Sequence, residues 1–237
     1  MIQLIRVVSY NLRKNHATRE LGQIIRDFTP DVLCLQEADT AQLPAELGGM
    51  QLADATKRNR LGLAVYYRRD HFVLNGTRAF ELKKSMHDRV LAPAHERLIG
   101  SILQDVTSGR PIVIASFHAA PLTALNSLRR KQIQAAHAEL LRLGAGAPTL
   151  MVGDYNYPFF TKALNERVTA SGYDMALSDR KTYTRYKFFK GHFDFVTSAG
   201  LAVGTVETLP RGDSDHMPIL VTADYGDVDE SEHAQSA

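Results

Sequence analysis

Short apolar runs rich in β-formers recur along the chain, most of them closed by Gly, Pro, Asp or Asn. They are Leu4 to Tyr10, Val32 to Leu35, Leu63 to Tyr67, Leu98 to Val106, Ile112 to Phe117, Leu150 to Val152, Phe193 to Thr197, Leu201 to Val206 and Met217 to Val221. Runs of this length and composition predict strands. Other stretches carry helical periodicity. Leu21, Ile24, Ile25 and Phe28 predict a helix within 18–28. Leu125, Leu128, Ile133, Ala136, Leu140, Leu141 and Leu143 predict another over 124–143, buried along one side. A third is expected over 158–170, with Pro158 in its first turn. Strands outnumber helices, and the helices are dispersed among them. That pattern predicts an α/β fold with two sheets packed face to face and helices outside. The closing stretch "DYGDVDESEHAQSA" is acidic and nearly free of large apolar groups, so a disordered tail is expected over 225–237.

Composition narrows the picture only a little. The 237 residues are 44% hydrophobic, enough for the core of one large domain or two small ones. A net charge of +2 permits a nucleic-acid partner without requiring one. The single cysteine, Cys34, excludes an internal disulfide and a cysteine-built zinc site. Its apolar flanks predict a buried, inert thiol. The N-terminal run "MIQLIRVVSYN" is short and lacks a basic leader or a small-residue cleavage site. No apolar run has the length needed to cross a bilayer. A cytoplasmic, monomeric enzyme is the expectation.

The polar residues that end the strands carry more information. Asn11 ends the first run, Gln36 and Glu37 the second, and His118 the fifth; Asp154 and Asn156 follow the sixth. Asp194 stands in "GHFDFV", and Asp215 and His216 precede the last run in "DSDHMP". Each alone is an ordinary turn or cap residue. Six strand boundaries carrying Asn, Glu, Asp or His are another matter, because strand ends in layered folds meet along one rim. Glu37, Asn11, Asp154, Asn156 and Asp215 offer hard oxygen ligands suited to Mg²⁺ or Mn²⁺. Histidines beside such a cluster can move protons near neutral pH. Together they make a kit for hydrolysing a phosphate ester.

The ordered set "SYNLRKN", "LCLQE", "FHAAP", "VGDYN", "FDFVTSAGL" and "SDHMPILV" resembles the endonuclease/exonuclease/phosphatase superfamily, the deoxyribonuclease-I-like metal-dependent phosphoesterases. The resemblance runs from Leu4 to about Val221, within a domain drawn over 1–224. It implies a four-layer α/β/β/α sandwich with the site where the two sheets meet. It implies Glu37 as principal metal ligand, with Asn11 and Asp215 near the metal. Asp154 and Asn156 match the pair that positions the attacking water and the phosphate. Spaced two apart on extended backbone, they would point the same way, with Gly153 leaving space beside them. Asp194 looks like the carboxylate that orients His216, which serves as base or as phosphate donor. His118 resembles the second histidine of the pancreatic-nuclease branch. The glutamate that supports it there would fall near Asn59 to Gly62, where no acid occurs. Arg97, in "HERLIG", matches a phosphate-binding arginine or is an ordinary strand-edge charge.

Basic residues cluster over Lys57 to Arg60, Arg129 to Lys131 and Arg180 to Lys190. The last interleaves Tyr183, Tyr186, Phe188 and Phe189 with charge, as nucleic-acid surfaces do. Arg185 and Lys187 are therefore expected to bind DNA or RNA. A phosphatase or phospholipase of the same fold, and a binding protein that has lost catalysis, are the alternatives.

Overall fold

The computed structural model describes residues 4–84, 95–183 and 190–225. Sheet A orders its strands β12 (Ala202–Thr208), β13 (Ile219–Asp224), β1 (Ile5–Asn11), β2 (Val32–Ala38), β5 (Gly62–Tyr67), β4 (Met50–Ala55) and β3 (Glu46–Leu47). Sheet B orders β10 (Asp174–Leu177), β11 (Asp194–Ala199), β9 (Thr149–Asp154), β8 (Pro111–His118), β7 (Glu96–Asp105) and β6 (Phe72–Glu81). The helices are α1 (Leu21–Phe28), α2 (Asn126–Gly144) and α3 (Thr161–Thr169), and a 3-10 turn, His16–Glu20, leads into α1.

Side-chain alternation explains the layering. In β2, Val32 and Cys34 enter the core between the sheets with Val7, Ile114, Val152 and Val221. Leu33 and Leu35 face the other way, onto Leu21, Ile24 and Ile25 of α1. Across the second sheet, Val113, Ala115 and Met151 meet Ile133 and Leu140 of α2 and Leu164 and Val168 of α3. Helix, sheet, sheet and helices thus make four layers, as expected. Cys34 is buried in the central core, where burial pushes its thiol pKa upward.

Each sheet is built around one parallel pair closed by a helix: β1–α1–β2 in sheet A and β8–α2–β9 in sheet B. Parallel neighbours need such a crossover, so the ends of β1, β2, β8 and β9 face the same way within their pairs. The remaining described strand pairings are antiparallel.

Three expectations are corrected. The third helix starts at Thr161, and Phe160 at φ 61 precedes it, so Pro158 lies outside. The predicted run 18–28 divides into the 3-10 turn and α1. Strands β3, β4, β6 and β10 were not predicted. Most are edge or near-edge strands that carry polar residues on an open face, such as "FVLNGTRAFE" in β6, so the apolar signal is weak. Among the described residues no helix is long and apolar enough to cross a membrane. Most of the acidic tail lies outside the described residues.

Candidate active site

The strand ends of both sheets open into one cleft of about 560 Å³. Its walls include Glu37, Arg97, His118, Asp154, Asn156, Asp215 and His216, together with Arg13, Lys14 and Arg60. Residues 200 positions apart in sequence therefore become neighbours because β1 lies between β2 and β13.

Two rungs of sheet B set the acid–base groups. Asp154 is paired in register with His118 on β8 and with Asp194 on β11. Asp194 Oδ2 lies 2.7 Å from His216 Nδ1, so His216 turns Nε2 toward Asp154 Oδ2 at 3.7 Å. Thr182 Oγ1 accepts the amides of Phe193 and Asp194 at 3.2 and 3.1 Å, fixing the backbone behind the pair. Ser214 Oγ accepts the His216 amide at 3.1 Å and donates to the Asn11 carbonyl at 2.7 Å. Tyr183 packs edge-on against the His216 ring at 5.1 Å.

Burial alone would lower the His216 pKa, but Asp194 and then Asp154 more than offset it and raise it to about 10. Asp154 moves the other way from an ordinary carboxylate. Burial raises its pKa, His216 pulls it back, and Asp194 and Glu37 raise it again. His118 Nε2 sits 3.6 Å from Asp154 Oδ2 and 4.0 Å from Glu37 Oε1. Burial, then the charges of Arg97 and His216, nonetheless hold its pKa well below the usual histidine range.

Asp154 and Asn156 both reach the cleft, but not by strand alternation. Strand β9 ends at Asp154, and Asn156 has φ 49. The Asp154 Oδ1 accepts the Asn156 amide at 2.9 Å, which is an Asx turn. Gly153 serves a different purpose from the one expected. Its φ is 152, and a Cβ there would strike the Phe117 carbonyl oxygen on β8. Glycine therefore admits the neighbouring backbone and lets β8 and β9 pair closely beside the site.

On the sheet A side, Asn11 Nδ2 donates to Asp154 Oδ2 at 3.0 Å and its Oδ1 accepts the Arg13 amide at 3.0 Å. Asn11 is thus a bridge between the sheets. Gln36, which the sequence shows only as the partner of Glu37, is a second bridge: Nε2 donates to Ser116 Oγ at 2.8 Å and Ser9 Oγ at 3.2 Å. Asp215 Oδ2 is 3.8 Å from Arg13 Nε.

Glu37 is aimed by a β-bulge. Leu35 pairs with Ala64 and Ala38 with Gly62, so β2 carries one extra residue there. Without it, Glu37 would share the outer face with Leu33 and Leu35. The bulge gives Glu37 φ 53, a position glycine commonly takes. Holding a non-glycine residue there costs about 1–3 kcal/mol.

The donor set fits a divalent cation that prefers oxygen. Asp154, Asp194 and His216 place ligand atoms within 4.8 Å of one another, yet Asp194 and His216 are engaged with each other. Glu37 Oε2 accepts the Lys14 amide at 2.8 Å, and the carboxyl is 28% exposed in the cleft. The repulsion among Glu37, Asp154 and Asp194 that raises Asp154 is one that a divalent charge relieves.

The basic clusters fare unequally. Arg97 is buried, and its Nη1 donates to the carbonyls of His118 and Ala119 at 3.2 and 3.1 Å, bracing the end of β8. Lys57 and Arg58 pair with Asp54 and Glu81. Asn59 is bonded to the backbone of His95 and Glu96, leaving Arg60 toward the cleft. Arg129 is buried with Nη1 on the Pro121 carbonyl at 2.7 Å, and Arg130 donates to Tyr157 Oη at 2.9 Å. Arg185 and Lys187 lie outside the described residues.

Solved structures with this fold are numerous. An endonuclease/exonuclease/phosphatase family protein from Bacteroides thetaiotaomicron superposes with TM-score 0.75 at 16% identity, covering 95% of this chain and 99% of that one. The human Nocturnin catalytic domain, with bound sulfate, gives 0.75 at 18% identity, covering 94% and 96%. A mannosyl-6-phosphatase from Bacteroides thetaiotaomicron gives 0.74 at 16% identity, covering 92% and 99%. These likenesses concern the fold. No curated protein sequence matches. The profile of the Endonuclease/Exonuclease/phosphatase family matches residues 8–216, and the chain belongs to that family of metal-dependent hydrolytic phosphoesterases.

Proposed function

We propose that the protein is a Mg²⁺- or Mn²⁺-dependent phosphodiester hydrolase that cleaves nucleic acid. The carrying observation is the meeting of His216, held from behind by Asp194, with Asp154, Asn156, His118 and Glu37 in one cleft. Glu37 would hold the cation, with Asn11 and Asp215 beside it. A divalent cation there supplies Lewis-acid polarisation of a phosphoryl oxygen.

The remaining chemistry belongs to the side chains. His216, raised by its carboxylates, is an imidazolium at neutral pH and donates from Nε2 to a phosphate oxygen. Asp154, with its proton affinity raised by burial, accepts the proton of the attacking water. Asp194 fixes the His216 ring and offsets its charge. Asn156 presents its amide to the phosphate. His118 stays neutral and offers Nε2 to a phosphate oxygen. Arg13, Lys14 and Arg60 line the same cleft, which supports a substrate with phosphates beyond the scissile one.

The test is a Mg²⁺-dependent panel of plasmid DNA, single strands, RNA, bis-p-nitrophenyl phosphate and phosphomonoesters, with Glu37→Ala alongside. Diesters and polynucleotides should be cut, EDTA should abolish cutting, and Glu37→Ala should be inert. Hydrolysis of phosphomonoesters alone would replace this reading with a phosphatase.

A further inference from the structure

The bulged backbone at Glu37 is held from outside its own strand. After β1 the chain makes a turn in which three successive non-glycine residues, Arg13, Lys14 and Asn15, have φ 45, 54 and 67. Such a run is rare, because each residue brings its Cβ close to the following carbonyl oxygen. Its amides explain it. Arg13 N–H goes to Asn11 Oδ1, Lys14 N–H to Glu37 Oε2, and Asn15 N–H to the Glu37 carbonyl at 2.9 Å. The Asn15 side chain closes the ring from the other side: its Oδ1 accepts the Asp39 amide at 3.0 Å and the Thr18 hydroxyl at 2.7 Å. Asn15 therefore grips the chain at Glu37, inside the bulge, and at Asp39, just past Ala38, where pairing with Gly62 resumes.

We propose that Asn15 is the positioning residue that keeps Glu37 aimed into the cleft for cation binding, an inference that rests on the metal role assigned to Glu37. Asn15 is not among the residues of the cleft wall, and it acts by fixing the bulge. Partners that orient a metal ligand typically change metal affinity by about 10- to 100-fold when removed.

The choice of variants separates this role from general stability. Asn15→Gly keeps the left-handed backbone and its amide, and removes the side-chain carboxamide with its Oδ1 acceptor. Asn15→Asp keeps an acceptor at the same place and tolerates the same φ. Mn²⁺ binding to the full chain, followed by electron paramagnetic resonance without substrate, is the readout, with Glu37→Gln as reference. Asn15→Gly should bind Mn²⁺ about tenfold or more weakly, and Asn15→Asp should remain within about threefold of wild type. Activity of Asn15→Gly should return at saturating metal. Wild-type affinity in Asn15→Gly overturns the inference. Equal loss in both variants overturns it too, since the acceptor would then be irrelevant. If Glu37→Gln binds Mn²⁺ normally, the metal role of Glu37 falls and this inference falls with it. Weak binding by Glu37→Gln beside normal binding by Asn15→Gly removes the inference about Asn15 alone.

Discussion

Replacing Gly153 by alanine tests how the neighbouring strands β8 and β9 of sheet B bring the acid–base groups together. Gly153 has φ 152, a region held almost only by glycine, and its missing Cβ would collide with the Phe117 carbonyl oxygen. The partner is backbone, so no side chain can turn aside. Forcing alanine into that φ costs about 1–3 kcal/mol, and prising β8 from β9 adds about 1–3 kcal/mol of overpacking. A central figure of about 4 kcal/mol lowers the melting temperature of a chain this size by about 8–16 °C. The strained rung, Phe117 with Gly153, adjoins the rung that pairs His118 with Asp154, so turnover should fall as well. Gly76 on β6 is the matched control: a Cβ there meets nothing within 4 Å, and Gly76→Ala should change stability by less than about 1 kcal/mol. Thermal and urea unfolding of the two variants measure both effects. If Gly153→Ala melts within about 2 °C of wild type, the close approach of the two strands is not what that glycine is for.

Other expectations concern separate parts of the molecule. Asp194→Asn should cut turnover on bis-p-nitrophenyl phosphate by about a hundredfold or more, with a smaller change in KM, because His216 loses both orientation and its charge partner; an unchanged kcat would remove the pair from the chemistry. His137 is buried against Thr197 Oγ1 at 2.9 Å, and burial lowers its pKa to about 3 from 6.5. Above pH 6.5 both folded and unfolded forms are neutral; below it the unfolded chain gains a proton that the folded chain refuses. Stability should therefore fall by about 1.4 kcal/mol per unit between pH 6.5 and 3 from this group, and His137→Gln should flatten the urea-midpoint profile there. Arg60→Ala should lower the log–log salt slope of oligonucleotide binding by about one unit and leave hydrolysis of bis-p-nitrophenyl phosphate unchanged; an unaltered slope places Arg60 off the substrate track.

The residues that were legible are those whose position depends on strand ends alone. Asn11, His118, Asp154 and Asp194 close or open apolar runs in the sequence, and topology brings His118 and Asp154 to the cleft wall with Asn11 and Asp194 bonded behind it to Asp154 and His216. What escaped depends on departures from regular backbone. Alternation cannot show the extra residue in β2, so nothing in "LCLQE" says that Glu37 is turned from the α1 face into the cleft. The spacing of Asp154 and Asn156 suggests extended chain, whereas an Asx turn brings them together. The role of Arg129 is hidden for another reason: a buried arginine bonded to a carbonyl and a surface arginine read alike in sequence. Edge strands such as β6 and β10 were missed because one open side permits polar residues and dilutes the apolar signal.

The placement of β1 between β2 and β13 has a consequence for the chain during its synthesis. Chains emerge N-terminus first, so β1 is among the first strands available and β13 among the last. Until β13 arrives, β1 has one unpaired edge, a surface prone to pairing with other chains. His216 and Asp215, just ahead of β13, are equally late, and Ser214 reaches back across 203 residues to the Asn11 carbonyl. An unfinished chain can thus assemble sheet B, with His118, Asp154 and Asp194 aligned, and still lack the imidazole that completes the site. Catalytic competence and closure of the exposed edge arrive together, so incomplete chains are silent as enzymes during the same interval in which they are most exposed to aggregation.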